Sequence, residues 1–305
     1  MSKGTHEYVD DPRNANVLVY VDGDLVERPN AVVSVFDSGF VLGDGIWEGL
    51  RLHNGRIAFL EAHLRRLYEG AMALDLDIGL TPAEMVSALE RTIEANGMTD
   101  DVHIRLMVTR GIKATPYQDP RVTVGSATVV IVPEYKTPSP EVLTRGVRLF
   151  TVHVRRGPAD VQDPKLNSHS KLNCILACIQ ATKAGADEAL MLDPHGFVAT
   201  CNSTHLFIVR DGEVWTSSGD YCLQGITRAN VLALCDDNDI DAYERNFSLT
   251  DVYGAHEAFV TGTFAGIAPV TEVDGRTIGT GTRGELTERL QNLYLELVER
   301  ECAAG

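Results

Sequence analysis

Between Asp163 and Lys171 the run DPKLNSHSK sets Lys165, Asn167, His169 and Lys171 at two-residue steps. Two amines, an imidazole and a carboxamide in so short a span suit nucleophilic or acid–base work. The residues that follow predict a helix. Ser168 or Ser170 is placed to cap it, Leu172, Ile175, Leu176 and Ile179 recur at three- and four-residue steps through Ala181, and Gly185 ends it. The cluster therefore stands at a helix entrance, where N–H groups without partners and the helix dipole favour an anion. A second such entrance is Leu223-Gln224-Gly225-Ile226-Thr227-Arg228 ahead of an apolar run through Leu234, whose amides and Thr227 hydroxyl form a phosphate cradle. His103 and Arg105 fall on one face of an alternating run, which can be a polar edge facing solvent.

These side chains need elements to hold them. Val17 to Val21 and Leu25 to Glu27 flank Asp22-Gly23 and predict a hairpin, preceded by a tail expected to be mobile. Val32 to Phe36 is predicted to continue the sheet, and the glycines of GFVLGDGIWEGL permit close backbone approach. Phe59 to Leu74 carries Leu60, Leu64, Leu67 and Ala71 at helical spacing, with Arg65 and Arg66 near its middle. Thr81-Pro82-Ala83-Glu84 has the cap, the proline and the acid of a helix start, and Gly97 closes that helix. Val102 to Thr109 predicts a strand, and Ala127 to Val132 a buried one. Pro133, Pro138 and Pro140 mark a linker, so the predicted domains are 1–133 and 134–305.

Val147 to Val154 begins the second domain, Ala189 to Leu192 is a short apolar run, and Ala258 to Thr261 is a predicted strand. His205 to Val209 and Glu213 to Thr216 form a hairpin about Asp211-Gly212, and Ser248 to Tyr253 is a short helix. Leu286, Leu290, Leu293 and Leu297 make the apolar stripe of a terminal helix, core or dimer contact.

Composition narrows the class. Of 305 residues, 44% are hydrophobic and 23% charged, as in a folded soluble protein. The net charge of −16 disfavours nucleic acid and acidic membranes as partners. No apolar run reaches the ~20 residues of a membrane span, and MSKGTHEYVDDPRN lacks the apolar core of a signal peptide, so the expected location is the cytoplasm. The six cysteines form no paired C-x-x-C motifs, which argues for reduced thiols and against a structural metal.

The run DPKLNSHSKLNCILACIQATKAGADEALMLD resembles the active-site segment of fold-type IV pyridoxal-phosphate enzymes: branched-chain aminotransferases, D-amino-acid aminotransferases and aminodeoxychorismate lyase. GDGIWEGLR, HLRRL, HIRLMVTRG, LQGITR and VTGTFAGIAPV follow the order of that family. The resemblance implies an α+β fold with a small N-terminal domain and a larger, β-barrel-like C-terminal domain, and a homodimer. It further implies pyridoxal 5'-phosphate as cofactor, with amino-group transfer between a small branched-chain or D-amino acid, or an amine, and a 2-oxo acid. By the same resemblance Arg66, Ile226, Thr227 and Thr263 hold the cofactor phosphate, and His103 and Arg105, in place of a Tyr-x-Arg, border the substrate. Glu48 and Arg51 belong to an EGxR signature and are expected to form a structural ion pair.

Two positions depart from the family. Without gaps, Asn167 falls where the Schiff-base lysine belongs, and Thr200 falls where a glutamate binds the pyridine nitrogen. Asparagine can neither bond the cofactor nor move a proton, and a hydroxyl leaves the ring a weaker electron sink. Lys171, one helical turn beyond Asn167 if the helix has begun, is the preferred replacement; Lys165 is the second candidate. Two rivals remain open: chemistry without a Schiff base using His169, Lys171 or Cys201, and a non-catalytic binder of a phosphorylated ligand.

Overall fold

The structure, a computed structural model, describes residues 4–6 and 9–303. The chain forms two compact units. The N-terminal unit comprises Val9–Thr137, Leu166–Lys171 and the C-terminal residues from Glu301, and the C-terminal unit takes Pro138–Lys165, Leu172–Arg300 and the N-terminal end.

In the N-terminal unit, β1 (Leu18–Val21) and β2 (Asp24–Glu27) form the predicted hairpin, with Val21 opposite Asp24. Asp22 and Gly23 both have positive φ, the combination a two-residue turn needs to match the strand twist. The expected mobile tail is corrected for part of its length. Pro12–Asn16 is a 3-10 turn, and the Asn14 carboxamide both donates to the Tyr135 carbonyl and accepts from the Tyr135 amide. For residues 1–3 and 7–8 that expectation lies outside the described residues.

Val32 to Phe36 is not a strand; it leads irregularly into the short helix α1 (Ser38–Leu42). Then come β3 (Gly45–His53), β4 (Arg56–Ile57), α2 (Leu60–Ala73), α3 (Pro82–Ala95), β5 (Val102–Thr109), β6 (Ile112–Lys113), β7 (Thr123–Val124) and β8 (Thr128–Tyr135). The main sheet is antiparallel, in the order β2-β1-β8-β5-β3-β4. Ile46, Leu50 and Leu52 of β3 and Val102, Ile104, Leu106 and Val108 of β5 turn to one face and form the core with Leu64, Leu67, Met85 and Leu89 of the helices. Alternation sends Trp47, Gly49, Arg51, His103, Arg105 and Met107 to the other face.

Strand β8 runs on through Pro133, which pairs in register with Ile104, to Tyr135. Proline is tolerated there because β1 pairs with β8 only at Val130 and Ile131. The change of unit falls between Thr137 and Pro138, and Leu166–Lys171 returns to the N-terminal unit, which a single cut in the sequence could not express.

The C-terminal unit contains α4 (Pro140–Arg145), β9 (Val147–Thr151), α5 (Ala159–Gln162), α6 (Leu172–Lys183), β10 (Glu188–Leu192), β11 (Val198–Cys201), β12 (His205–Arg210) and β13 (Glu213–Thr216). It continues with α7 (Ile226–Asp237), β14 (Ala242–Glu244), α8 (Leu249–Tyr253), β15 (Glu257–Gly262), β16 (Gly266–Val273), β17 (Arg276–Thr277) and α9 (Glu285–Glu301). Its sheet runs β11-β10-β9-β16-β15-β12-β13-β14, with β17 beside β16. Yet β11 and β12 are joined by the tight turn Asn202-Ser203-Thr204, so the sheet curls until its first strand meets its sixth. Leu190, Leu206, Ile208, Val260, Ala268 and Val270 fill the inside of this half-barrel.

Helix α6 ends before Gly185, as predicted, but packs on a different face. Ala177 and Ala181 meet Ala189 and Met191 of β10, whereas Leu172 and Ile175 are 66% and 52% exposed and Leu176 and Ile179 are exposed with them. No helix among the described residues is long and apolar enough to cross a membrane.

Thr81 closes the predicted capping box, accepting from the Glu84 amide while Glu84 accepts from the Thr81 amide. Thr81→Ala is expected to lower stability by about 1 kcal/mol, read as a reduced urea midpoint at unchanged slope.

Candidate active site

The reactive run is anchored to β3. The Trp47 amide donates to the Asn167 carbonyl at 2.9 Å and the His169 amide to the Gly45 carbonyl at 2.8 Å, with Ile46 and Ser168 directly opposed. Gly45 permits this approach, since a Cβ there would stand 2.5 Å from the Val108 carbonyl oxygen and 3.3 Å from the His169 ring. The Trp47 indole N–H donates to the Ser168 carbonyl at 3.1 Å, and the Arg105 guanidinium stacks over the indole at 3.7 Å. Lys171 Nζ lies 5.2 Å from the same ring and donates to Asn167 Oδ1 at 3.1 Å.

Lys171 and Asn167 are thus brought together, but not by a helical turn. Helix α6 begins at Leu172, and the segment before it is a bridge to β3, so Lys171 does not stand one helical turn beyond Asn167 as expected. Lys165 is exposed, its amide donating to the Asp163 carboxylate. His169 Nε2 lies 3.0 Å from the Ile46 carbonyl, and burial lowers its pKa despite that partner. His103 and Arg105 share the face of β5 that carries Met107. Burial lowers the Arg105 pKa against the pull of Glu48 and Glu134. A cavity of about 480 Å³ opens on that face, walled by Val19, Val21, Phe40, Met107, Val132 and His169.

Beneath the sheet lies a buried charge cluster that the sequence did not reveal. Glu48 does not pair with Arg51, because an odd separation on one strand sends the two to opposite faces; Arg51 donates to the Lys136 carbonyl instead. Glu48 accepts from Arg66 Nε and Nη2 at 2.8 and 2.7 Å, and His63 Nδ1 lies 2.7 Å away. The fork of Arg66 expected to clasp a phosphate is therefore engaged by Glu48. Burial opposes ionisation of Glu48, but Arg66 and then His63 outweigh it and hold the pKa below the ordinary value. His63 Nε2 is buried with no hydrogen-bond partner among the described residues.

The C-terminal unit holds the other predicted residues. Gly225 is the N-cap of α7 and offers no side chain, leaving the first-turn amides at Ile226 and Thr227 uncapped. Thr227 is buried, its hydroxyl 3.4 Å from that of Tyr294. Thr263 sits in the turn after β15, and on that strand the buried Thr261 hydroxyl has no partner among the described residues. Thr200 donates its hydroxyl proton to the Thr204 carbonyl at 2.8 Å, so towards any further group it can only accept. The Thr204 turn is fixed by buried Glu188, which accepts from the Ser203 amide and hydroxyl and the Thr204 hydroxyl. Burial pushes the neighbouring Cys201 thiol well above its usual range, with Glu188 adding to the effect, so Cys201 is no ready nucleophile.

Sequence reasoning missed Trp47, His63 and the use made of Asn167. The available signal was the alternation of β3, which puts Trp47 opposite Glu48, and the histidine of HLRRL three residues before Arg66. Because the folded Glu48 pKa is depressed, its stabilisation is present above the ordinary value of 4.5 and lost as pH falls through the folded pKa. Glu48→Gln is expected to cost about 3–5 kcal/mol at neutral pH by stranding Arg66, and to flatten the acid limb of a stability–pH curve.

Among known proteins, the family described as Amino-transferase class IV matches residues 45–273. Branched-chain-amino-acid aminotransferase-like protein 2 of Arabidopsis thaliana is 41% identical over 288 residues, covering 94% of this chain and 51% of that one. The chain thus spans about half the length of that plant relative. The putative branched-chain-amino-acid aminotransferase of Methanocaldococcus jannaschii is 40% identical over 281 residues, covering 92% of this chain and 96% of its own length. The T.th. branched-chain amino acid aminotransferase complexed with N-(5'-phosphopyridoxyl)-L-glutamate superposes with a TM-score of 0.87 at 32% identity, covering 94% of this chain and 95% of that one. With the curled sheet and the two helix entrances already in view, these matches make the chain a member of the class IV aminotransferase family, with the fold-type IV architecture.

Proposed function

We propose that the protein is a pyridoxal-phosphate-dependent aminotransferase in which Lys171 has taken over the duty of the lysine replaced by Asn167. The observation that carries this is the 3.1 Å contact from Lys171 Nζ to Asn167 Oδ1, which brings an amine to the side chain standing at the family's lysine position. The donors present suit the cofactor's phosphate: uncapped amides at Ile226 and Thr227, the Thr263 turn, and the orphaned Thr261 hydroxyl close by in sequence. Arg66, oriented by Glu48, is the remaining phosphate candidate.

When bound, pyridoxal phosphate would supply an aldehyde and a ring that withdraws electrons from the substrate's α-carbon, and Lys171 would hold it through its amine. Lys171 Nζ takes and returns the α-proton. Arg105, held over the Trp47 ring, together with His103, binds the substrate carboxylate, and the apolar cavity beside Met107 takes a small apolar side chain. The substrates on this reading are a branched-chain or D-amino acid and a 2-oxo acid. A second copy of the chain is the proposed cover for the exposed Leu172, Ile175, Leu176 and Ile179 of α6.

Borohydride reduction with pyridoxal phosphate, followed by peptide mass mapping, should find the pyridoxyl group on Lys171, and Lys171→Ala should abolish it. Label on Lys165, or none, would overturn the assignment. Thr200→Glu is expected to raise transaminase turnover, because a carboxylate keeps the pyridine protonated where a neutral hydroxyl does not. Unchanged turnover in a variant that still binds cofactor would mean the ring is oriented otherwise.

A further inference from the structure

Asn167 is more than a lysine lost. Its carboxamide nitrogen donates to the Trp47 carbonyl at 2.6 Å. A carbonyl can only accept, so this bond settles which way the amide faces and aims Oδ1 at Lys171 Nζ, 3.1 Å away. Asn167 is buried, which limits the access of solvent to its oxygen. The partner carbonyl is itself fixed, because Trp47 is bonded to Asn167 through its amide and to Ser168 through its indole N–H, with Arg105 stacked on its ring.

We propose that Asn167 is a positioning residue for the Lys171 amine. Oδ1 accepts one N–H and so selects one of the many rotamers open to a lysine. The inference rests on the reading that Lys171 bears the cofactor. It assigns the substitution of lysine by asparagine a purpose: position 167 now holds the amine rather than carrying it.

Two variants separate this role from a merely structural one. Asn167→Asp loses the bond to Trp47 but keeps an acceptor for Lys171; Asn167→Leu loses both. The rate of pyridoxyl labelling under borohydride would be followed by mass mapping from neutral to alkaline pH. That range is needed because the new carboxylate raises the amine's pKa, against the unchanged positive charge of Arg105, while burial favours the neutral form of the neighbouring His169. Wild type and Asn167→Asp are expected to label on Lys171, and Asn167→Leu about tenfold more slowly or less, with thermal unfolding of the two variants alike. Equal slowing in both variants would reduce Asn167 to a support for Trp47, and wild-type labelling in Asn167→Leu would remove it from the site; either result overturns the proposal alone. Wild-type protein without label on Lys171 overturns the parent reading as well. Asn167→Ala replaces the leucine variant if that one does not fold, with the same outcomes.

Discussion

The pairing of Leu166–Lys171 with the start of β3 is the constraint on which the placement of Lys171 depends. Three backbone and side-chain bonds at Trp47, with the contact at Gly45, hold six residues that belong to neither flanking helix. Without them Lys171 would be a long, flexible amine on a loop, with no single geometry. With them its reach is set from Asn167, and the glycine-rich approach to β3 finds its reason in the close passage of His169 past Gly45.

Two buried carboxylates serve this molecule in different ways. Glu48 is ionised, with Arg66 and His63 supplying the charge and hydrogen bonds that offset its desolvation. It sits on the core side of the strand whose other face carries Trp47, so one strand joins the ion cluster to the amine site. Glu188 has no cation among its hydrogen-bond partners in the described residues. Burial raises its pKa, and the donors it gathers, Ser203 and Thr204, shape the turn that in turn holds Thr200. A glutamate at position 200 would place a charge on that turn, whereas threonine settles into it by donating to the Thr204 carbonyl.

Helix α6 illustrates how packing can reverse an expectation drawn from periodicity. Its large apolar residues recur at helical spacing, yet the side that meets the sheet is the one with Ala177 and Ala181, because small side chains let the helix axis approach β10 closely. The large residues are left outward. A stripe at that spacing says that a helix has an apolar face, and not what covers it.

The amino-acid sequence by itself determined the local elements: the Asp22-Gly23 hairpin, the Thr81 capping box, the full extent of β5 and the helix entrance after Leu223. Each depends on side chains within a few residues of one another. The ordered family motifs likewise carried the fold class. What only the tertiary structure decided were matters of long-range partnership. Glu48 pairs with Arg66 and His63 rather than Arg51, β8 runs through Pro133, α6 starts after Lys171, and Asn167 bonds Trp47 across 120 positions of chain. The physical reason is that a side chain's partner is fixed by which strand or helix folds against it, and spacing along the chain carries no record of that.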